Sequence, residues 1–494
     1  MWNLVQSWFG SKESTTTGKG TNEVPSTPKL VPTSKILIVG SGCFGVSTAL
    51  HLLKRGYKDV TIIDRAPTLP AIDAASTDIN KIIRSSYEDK FYTDLAREAI
   101  ECWKDRKTWG ENYRESGVLV FGTGVSQYVD SAFQNDLESG ARVKKLKNPR
   151  PLGESRLTSG NGHAYQPHDT ITLEELFHSE IPLGACASES DGFLNADGGW
   201  ADAEGGVARA MELVQELGGK FVPGKEVSKL KKSGSITKGV SCKDGTEYSA
   251  DLVILATGSW TASAFPELNL GFRCFATGQS VATVKLTPEE AERYRNIPVL
   301  LDFGLSGFYC FPPNKDNLMK FSRHFGGVAN FKAIIDAPNI DAKGSNISTP
   351  RTYMSDGEDG LKIPKSEALI LRERLQEWFP ELGKKEFYST RLCWYTDSPD
   401  SDWIIDVHPD DSGLALITSG SGHGYKFLPV IGRLVVDRIE GRMSPEIRRK
   451  FAINRSIDET RTYRDGAIIT VLNTEELCGP LELKSSSEDV VPRP

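Results

Sequence analysis

The amino-acid sequence predicts an α/β fold in which a parallel-sheet domain is interleaved with a second, α+β lobe that is richer in strands. Three observations predict it. A strand, a helix and a second strand follow one another within residues 35–64, and such a βαβ unit builds a parallel sheet. Apolar strand patterns recur far along the chain, in DLVILATGSW from Asp251 and in GLALITSGSGHG from Gly413. The stretches between these runs mix short strands with loops, so we expect them to form the second lobe.

The βαβ unit is the clearest element of the sequence. KILIVG, from Lys35, is short, rich in β-branched residues and bounded by glycine, which is typical of a buried strand. The next segment, SGCFGVSTALHLLKRG, has apolar residues at helical spacing and ends at Gly56. DVTIID then gives a second buried strand that ends at Asp64.

Later segments supply the other elements. YTDLAREAIECWKDRKTW, after Phe91, and ADAEGGVARAMELVQELGG, from Ala201, have the pattern of amphipathic helices, as does SEALILRERLQEWFP. Residues 117–122 and KFVPGKEVSKLKK are typical of strands, whereas residues 123–190 are polar and irregular. The run from Gly413 predicts a last strand and a glycine-rich turn that leads into a helix.

This placement predicts discontinuous domains. We expect a dinucleotide-binding domain from residues 34–100, 191–268 and 391–450, and a substrate-binding domain from residues 101–190 and 269–390. Residues 1–33 are predicted to be a disordered leader, because Ser, Thr, Gly, Pro and Lys dominate them. Residues 451–494 form a C-terminal segment.

Composition excludes several classes of protein. The 494 residues carry 59 Lys and Arg against 66 Asp and Glu, a net charge of −7, which argues against a nucleic-acid partner. The eight cysteines are scattered without CxxC pairs, so we expect reduced thiols, no metal site and no disulfide scaffold. No run approaches 18 apolar residues, so we expect no membrane partner. The opening WNLVQSWF is too polar for a signal peptide, and the ending VVPRP is no peroxisomal address; we therefore expect a cytoplasmic protein.

A glycine motif lies between the first strand and the first helix. GxGxxG is formed by Gly40, Ser41, Gly42, Cys43, Phe44 and Gly45. In this motif the first glycine permits the tight turn, the second lets a pyrophosphate approach the backbone, and the third allows close packing of helix and strand. Asp64 ends the second strand, where a carboxylate accepts hydrogen bonds from ribose hydroxyls. Together these residues predict dinucleotide binding.

The sequence narrows the choice of dinucleotide. An acid at the end of the second strand favours an unphosphorylated ribose, hence FAD or NAD rather than NADP. The position near the N-terminus and the later LATGSW run, with Ala256 and Gly258, are more typical of FAD enzymes. An NAD-dependent dehydrogenase stays an alternative at this point.

Five segments beyond the glycine motif carry a resemblance to a known family. They are SGSGHGYKFLPVIG (419–432), RLCWYTDSPDSDWIID (391–406), DINKIIRSSYED (78–89), MKFSRHFG (319–326) and FLNADGGWADA (193–203). Over roughly residues 35–450, with these segments following one another along the chain as they do in the family, the chain resembles the flavin-dependent amine oxidases of the sarcosine oxidase and amadoriase family. The resemblance implies a fold like that of D-amino-acid oxidase and FAD as the cofactor.

The resemblance also implies how the flavin is held. Cys393 matches the family cysteine that forms an 8α-S-cysteinyl bond to FAD, a role that requires an activated thiol. Without the resemblance, Cys393 reads as a buried structural thiol. The remaining residues implied along the cofactor are Arg65, Asn80, Lys81, Val227, Ala256, Gly258, Trp260, Gly422, His423, Gly424, Tyr425 and Lys426.

Five residues match the family's catalytic positions. Lys320 matches the lysine that promotes the reaction with oxygen, where a fixed cation stabilises developing negative charge. Arg84 and Lys426 match the pair that binds the substrate carboxylate, which suits a guanidinium and an ammonium. His324 and Tyr395 match an active-site histidine and tyrosine. The alternative for each of these residues is a structural role, at the surface or in the core, without a part in catalysis.

The implied reaction is the oxidation of a secondary amine. A C–N bond becomes an imine or iminium, and O2 is reduced to H2O2. The partners are then a small-molecule amine and O2, and since the sequence has no long heptad pattern we expect a monomer.

Two substrate classes stay open. Amadoriases, which act on fructosyl amino acids, carry a Trp-Arg-rich stretch near the C-terminus, but here that region reads RRKFAINRSIDETRTYRDG, without tryptophan. The first hypothesis is therefore an N-methylated, tyrosine-like amino acid. Its iminium is captured by a phenol ring, as in the biosynthesis of isoquinoline alkaloids. The second is deglycation of a fructosyl amino acid. A flavin-bearing protein without activity is disfavoured, since it has no need of buried cations.

Overall fold

A computed structural model describes residues 29–122, 127–147, 170–177, 180–184, 191–304, 306–333, 346–457 and 467–484. Most of the predicted leader, much of the irregular stretch 123–190 and parts of the C-terminal segment lie outside these residues. No helix among the described residues is long and apolar enough to cross a membrane.

Six of the described strands form the first sheet. Their spatial order is Lys220–Val222, Asp59–Ile63, Lys35–Val39, Leu252–Leu255, Asp411–Thr418 and Ile404–His408. All neighbours are parallel except the last pair, which is antiparallel. Leu252–Leu255 is buried throughout, because a parallel sheet is covered on both faces and its strands are apolar on both sides.

Both faces of the first sheet are covered. Ile36 and Ile38 point to a core shared with the helices Cys43–Lys54, Ala203–Glu216 and Ile431–Ile439. Leu37 and Val39, one residue out of phase, point to a second core on the other face. A three-stranded sheet contributes to that core; its strands are Val227–Ser233, Ile236–Cys242 and Glu247–Ser249.

Eleven of the described strands form the second sheet. Ten follow one another in space: Thr470–Val471, Val328–Ala329, Phe275–Lys285, Leu318–Arg323, Phe308–Cys310, Val299–Asp302, Val118–Gly122, Asp191–Asn195, Val143–Leu146 and Thr170–Ile171. The eleventh, Phe387–Asp397, pairs with Phe275–Lys285. The helix Lys365–Trp378 buries Leu371, Leu375 and Trp378 in the core of this lobe.

Smaller elements connect the two sheets. One small sheet holds Lys81–Ile83, Gly199–Ala201 and Tyr113–Arg114, and another holds Phe331–Ala333 and Asn346–Ser348. The remaining α-helices described are Lys90–Lys104, Arg106–Trp109, Gln127–Glu138, Leu173–Phe177, Thr261–Ala264, Pro288–Tyr294, Tyr353–Asp356, Pro445–Phe451 and Pro480–Leu483. Short 3-10 turns occur at Gly258–Trp260, Pro266–Leu268, Gly357–Leu361, Leu382–Lys384, Tyr425–Phe427 and Thr474–Glu476.

The predicted α/β fold with a β-rich second lobe is confirmed. The division into domains stays a prediction, and the strands Asp191–Asn195 and Phe387–Asp397 belong to the second sheet although they lie within or across ranges predicted for the first domain. The helix predicted after Phe91 is interrupted at Asp105, whose carboxylate accepts from the backbone N–H of Lys107 and starts a new turn.

Candidate active site

The glycine motif forms the turn between Lys35–Val39 and Cys43–Lys54. Gly40 has φ +106, and a Cβ there would lie 2.4 Å from the carbonyl oxygen of Ala256. A Cβ on Gly45 would lie 2.0 Å from the carbonyl oxygen of Gly40. Only glycine fits at either position. Gly42 caps the helix without a side-chain hydrogen bond, and the Cys43 N–H donates to the Ser76 hydroxyl at 3.1 Å. Gly42, Cys43 and Phe44 line a groove, so the positive end of the helix dipole faces the space where an anion would bind.

A deep groove runs from this turn to the second sheet. Its walls include the glycine motif, the end of Asp59–Ile63, the turn after Leu252–Leu255, and the glycine-rich turn after Asp411–Thr418. Residues between Ala71 and Ser76, the start of Val227–Ser233 and the strand Phe387–Asp397 complete them. The predicted cofactor residues that line it are Gly40, Gly42, Cys43, Phe44, Asp64, Arg65, Lys81, Val227, Ala256, Gly258, Trp260, Gly422, Gly424 and Tyr425. Tyr395, predicted as catalytic, also lines it.

Asp64 lies beside the glycine motif, at the end of the groove where the motif places a ribose. One of its carboxylate oxygens accepts from the backbone N–H of Ser41 (2.7 Å) and from the Ser41 hydroxyl (2.8 Å). Arg65 lies over the ring of Trp260, 4.2 Å from its centroid, and donates to Asp73 at 3.2 Å. These contacts fix the acid and build a rigid aromatic wall beside it.

A buried carboxylate joins two lysines at the opposite end. Lys320, on the strand Leu318–Arg323, is 1% exposed, and its Nζ donates to Asp78 Oδ2 (2.8 Å) and to the carbonyl oxygen of Asn80 (2.6 Å). Lys81 donates to the same Asp78 oxygen, and its Nζ lies 3.8 Å from Cys393 Sγ. The structure thus brings together Lys320, Lys81 and Cys393, three residues predicted from separate segments.

The electrostatics of this group follow from its burial. Burial lowers the pKa of Lys320 to about 8, although Asp78 opposes the shift. Burial alone would raise the pKa of Asp78, but Lys320 and Lys81 hold it well below its ordinary value. Burial disfavours the charge of Lys81, yet Asp78 raises the Lys81 pKa overall. At neutral pH the carboxylate is therefore charged and both lysines carry protons.

Asn80 has an unusual position in this group. Its side chain is fully buried, and neither its amide nitrogen nor its amide oxygen has a hydrogen-bond partner among the described residues. A buried amide without hydrogen-bond partners destabilises the fold. A bound molecule with polar ring atoms would supply the missing hydrogen bonds at this position.

Arg84 and Lys426 share one tyrosine. The Arg84 guanidinium lies over the ring of Tyr87, 4.3 Å from the centroid, and Lys426 Nζ donates to the Tyr87 hydroxyl at 2.7 Å. A second nitrogen of Arg84 donates to the Tyr128 hydroxyl at 3.3 Å, while its NH1 has no partner among the described residues. Phe303 covers the guanidinium at 4.7 Å.

These two basic side chains differ from every other buried one that the structure describes. Six lysines and arginines are buried in the described part of the chain. Four have a carboxylate within 4 Å: Lys320 with Asp78, Arg351 with Asp356, Arg438 with Asp406, and Arg455 with Asp400. Arg84 and Lys426 have no such partner among the described residues. Burial and the neighbouring Arg84 hold the pKa of Lys426 well below its ordinary value, so a bound anion would favour its charged form.

His324 and Tyr395 meet at the glycine-rich turn. Their ring centroids are 6.1 Å apart. Gly422 has φ +73, and a Cβ on it would lie 2.5 Å from the Tyr395 ring and 3.0 Å from the His324 ring. Glycine is required at 422 because both rings approach the backbone.

Some predicted cofactor residues lie outside the groove lining. Ser41 and Gly45 shape the turn from behind, and Asn80 and Cys393 belong to the lysine group. His423 is within hydrogen-bond distance of the Tyr87 hydroxyl (3.2 Å) and of the Ser401 carbonyl (3.0 Å), so both its ring nitrogens face protein atoms. Lys426 also lies outside the groove lining and, like Arg84, contacts Tyr87.

Sequence reasoning missed the roles of three residues of this site. Asp78 links the two lysines, Tyr87 links the two carboxylate-binding candidates, and Tyr128 contacts Arg84. Asp78 and Tyr87 lie in the segment that carries the resemblance, three residues from Lys81 and from Arg84, respectively. That spacing was the one available signal for them.

Comparison with known proteins decides the family. Residues 35–438 match the family model described as FAD dependent oxidoreductase. The chain belongs to this family of FAD-dependent oxidoreductases. The prediction of an FAD-dependent amine oxidase is thereby confirmed at the level of the family, and an NAD-dependent dehydrogenase is set aside.

Three curated relatives refine the comparison. The chain is 30% identical over 427 residues to L-saccharopine oxidase of Schizosaccharomyces pombe, covering 83% of this chain and 91% of the relative. It is 27% identical to amino acid oxidase fsqB of Aspergillus fumigatus (81% and 91% covered). It is 25% identical to monomeric sarcosine oxidase of a Bacillus species (85% and 95% covered).

The fold comparison agrees with these relatives. The crystal structure of the deglycating fructosamine oxidase Amadoriase II of Aspergillus fumigatus superposes with a TM-score of 0.73 at 26% identity, covering 91% of this chain and 98% of that one. The predicted resemblance to sarcosine oxidases and amadoriases is therefore confirmed.

The residues present fit FAD. The N-terminus of Cys43–Lys54, which lines the groove, suits its pyrophosphate, and Asp64 at the end of the second strand suits its ribose. The unpartnered amide of Asn80 suits the polar edge of a flavin ring. The family is FAD-dependent, and in this chain these residues are the ones that would hold the cofactor.

Proposed function

We propose that this protein oxidises the C–N bond of a secondary amine in an amino acid, with O2 as the electron acceptor and an imine and H2O2 as products. The substrate carboxylate binds between Arg84 and Lys426. One observation carries this proposal: of the buried basic side chains described, only these two lack a carboxylate partner.

The physical argument rests on desolvation. A buried cation without a counter-ion is unfavourable, and a bound carboxylate relieves that cost at both side chains. The guanidinium offers the unpartnered NH1 of Arg84, and the ammonium of Lys426 adds a second donor. Their positive charge also lowers the pKa of a nearby substrate amine, which favours the neutral form that loses electrons.

The other residues have separate roles in this proposal. Bound FAD would take up the hydride, a proton with two electrons, that the amine carbon loses, and would pass the two electrons to O2, which becomes H2O2 with two protons. Cys393 would hold the flavin covalently, and the Lys81 ammonium lies 3.8 Å from its Sγ. Lys320 supplies a fixed positive charge where O2 gains electrons, and Asp78 holds that charge in place. His324 and Tyr395 border the substrate beside Gly422.

The amine substituent is the finer part of the proposal. We favour an N-methylated, tyrosine-like amino acid whose iminium closes a ring in alkaloid biosynthesis. Two features support it: the aromatic rings of Tyr128 and Phe303 beside Arg84, 4.2 Å apart, and the similarity to an amino acid oxidase of Aspergillus.

Two other secondary amines have specific support. The amadoriase structure with a TM-score of 0.73 favours a fructosyl amino acid. The relative at 30% identity, named L-saccharopine oxidase, favours a secondary amine that joins two amino acids. Saccharopine carries three carboxylates, whereas one pair of buried basic side chains without a carboxylate partner is found among the described residues. A cytoplasmic location, a monomeric state and the domain boundaries stay predictions.

Release of H2O2 from a substrate panel tests the proposal. The panel is N-methyl-tyrosine, sarcosine, fructosyl-valine, fructosyl-lysine and L-saccharopine, with tyrosine as the primary-amine control. We expect turnover of N-methyl-tyrosine and none of tyrosine. Turnover of the fructosyl compounds alone, or of saccharopine alone, would contradict the proposed N-methyl substituent but would leave the proposed oxidation of a secondary amine in place. Peroxide from tyrosine alone would contradict a secondary-amine oxidase.

A further inference from the structure

We propose that Tyr87 is the positioning residue that makes the site specific for carboxylates, and that His423 orients its hydroxyl. This inference rests on the proposed function, because it assumes that Arg84 and Lys426 bind the substrate carboxylate. Tyr87 does not line the groove and takes no part in the reaction itself. Tyr87 acts through the two basic side chains on either side of it.

The geometry of Tyr87 is that of a spacer. Its side chain is buried, its ring face lies under the Arg84 guanidinium, and its hydroxyl oxygen accepts from Lys426 Nζ at 2.7 Å. Lys426 Nζ also donates to the carbonyl oxygen of His423 at 2.9 Å. Tyr87 is thus the one described side chain that contacts both basic groups, and it fixes the distance between them.

Hydrogen-bond chemistry gives the contacts of Tyr87 a single direction. The Ser401 carbonyl only accepts, so His423 Nε2, 3.0 Å away, carries the hydrogen in the neutral ring. His423 Nδ1 is then an acceptor, and the Tyr87 hydroxyl donates to it at 3.2 Å. The Tyr87 oxygen is left to accept a hydrogen bond from Lys426. A bound carboxylate favours the charged form of Lys426, and an ammonium has donors but no acceptor.

Tyr87 also leaves room for the anion. Burial raises the pKa of the Tyr87 hydroxyl, so this side chain stays neutral beside two basic groups. A protein carboxylate in its place would neutralise Arg84 and Lys426 permanently. The neutral spacer holds both groups ready while their charge is satisfied by the ligand alone. Ligands without a carboxylate leave the two groups buried and unpaired, which is the basis of strong discrimination.

Binding of benzoate tests the role of Tyr87. The dissociation constant is measured on the FAD-loaded enzyme from the change in flavin absorbance and, independently, by calorimetry. Tyr87→Phe keeps the ring under Arg84 and removes the acceptor of Lys426. We expect benzoate to bind about 10-fold more weakly or worse, on the scale of one hydrogen bond to a charged group. The KM for the amino acid substrate rises in parallel, and the limiting rate of flavin reduction changes by less than about 3-fold.

A neighbouring tyrosine provides the matched control. The ring centroids of Tyr92 and Tyr87 are 5.4 Å apart, but the Tyr92 hydroxyl donates to Asp402 at 2.7 Å. Tyr92→Phe makes the same chemical change without touching Lys426, so benzoate affinity stays as in the wild type. His423→Phe removes the acceptor of the Tyr87 hydroxyl and is expected to weaken benzoate binding by a smaller factor, about 3-fold.

The outcomes separate this inference from the proposed function. If Arg84→Gln weakens benzoate binding but Tyr87→Phe and His423→Phe do not, the positioning role is overturned and the carboxylate site stands. If Arg84→Gln leaves benzoate binding unchanged, the carboxylate site itself is wrong. If Tyr87→Phe fails to fold, the His423→Phe result decides, since an unchanged affinity there overturns the proposal.

Discussion

Cys393 shows how much chemistry a single residue carries in this protein. Its thiol is buried on the strand Phe387–Asp397, and the Lys81 ammonium lies 3.8 Å from its Sγ. The thiolate is the nucleophilic form of a cysteine, and a bond to the flavin requires that form. The covalent 8α-S-cysteinyl bond to FAD, which the resemblance implies for Cys393, stays a prediction.

The covalent bond has a direct test. Acid precipitation of the purified protein is expected to leave the yellow flavin in the pellet, and Cys393→Ser is expected to release it into the supernatant. Cys310→Ala, which changes another buried thiol of the same sheet, is expected to behave as the wild type. Flavin in the wild-type supernatant would contradict the covalent bond.

Lys320 is expected to make the rate of flavin reoxidation depend on pH. Its pKa of about 8 means that the side chain is protonated below pH 8 and neutral above it. If its charge assists the reaction with O2, the rate of flavin reoxidation falls as pH rises through about 8. Asp78 raises the Lys320 pKa, so Asp78→Asn is expected to move this fall to lower pH.

Stopped-flow reoxidation between about pH 6.5 and 9.5 measures this dependence. Lys320→Met is expected to be slower by at least about 10-fold at low pH and to lack the fall. A fall near pH 8 that persists in Lys320→Met would assign the titration to another group.

Residues of this kind differ in how far the sequence predicts them. Lys320, Arg84 and Lys426 follow from motifs that the chain shares with its family. Asp78 and Tyr87 do not, because their roles depend on partners 242 and 339 residues away in sequence, which only the folded chain brings together.

At the scale of elements, periodicity predicts most of the first sheet. Strands buried on both faces are continuous apolar runs, so Lys35–Val39, Asp59–Ile63 and Leu252–Leu255 are visible in the sequence. Helix ends are less visible, as the break at Asp105 shows: its carboxylate caps a new turn within a continuous amphipathic pattern. The sheet to which a strand belongs is hidden altogether, because pairing partners such as Phe275–Lys285 and Phe387–Asp397 lie far apart in sequence.

At the scale of the whole molecule, the site lies where the two sheets meet. The groove begins at the first sheet, with the glycine motif and Asp64. The strands of the second sheet supply Lys320 and Cys393, and the connecting segments supply Arg84 and Lys426. The ion pair between Lys320 and Asp78 joins the second sheet to the segment that follows the βαβ unit. Interleaving of the chain therefore brings the cofactor groove and the carboxylate site together.

The central claim is that a substrate carboxylate between Arg84 and Lys426 places a secondary amine for oxidation. The most direct measurement compares kcat/KM for N-methyl-tyrosine and for its methyl ester, in the wild type and in Arg84→Gln. If another secondary-amine amino acid is the substrate that the panel identifies, it and its ester replace this pair. We expect the ester to lose about 100-fold in the wild type, on the scale of an unpaired buried charge, and the two compounds to differ by less than about 5-fold in Arg84→Gln. Equal turnover of acid and ester by the wild type would contradict the account.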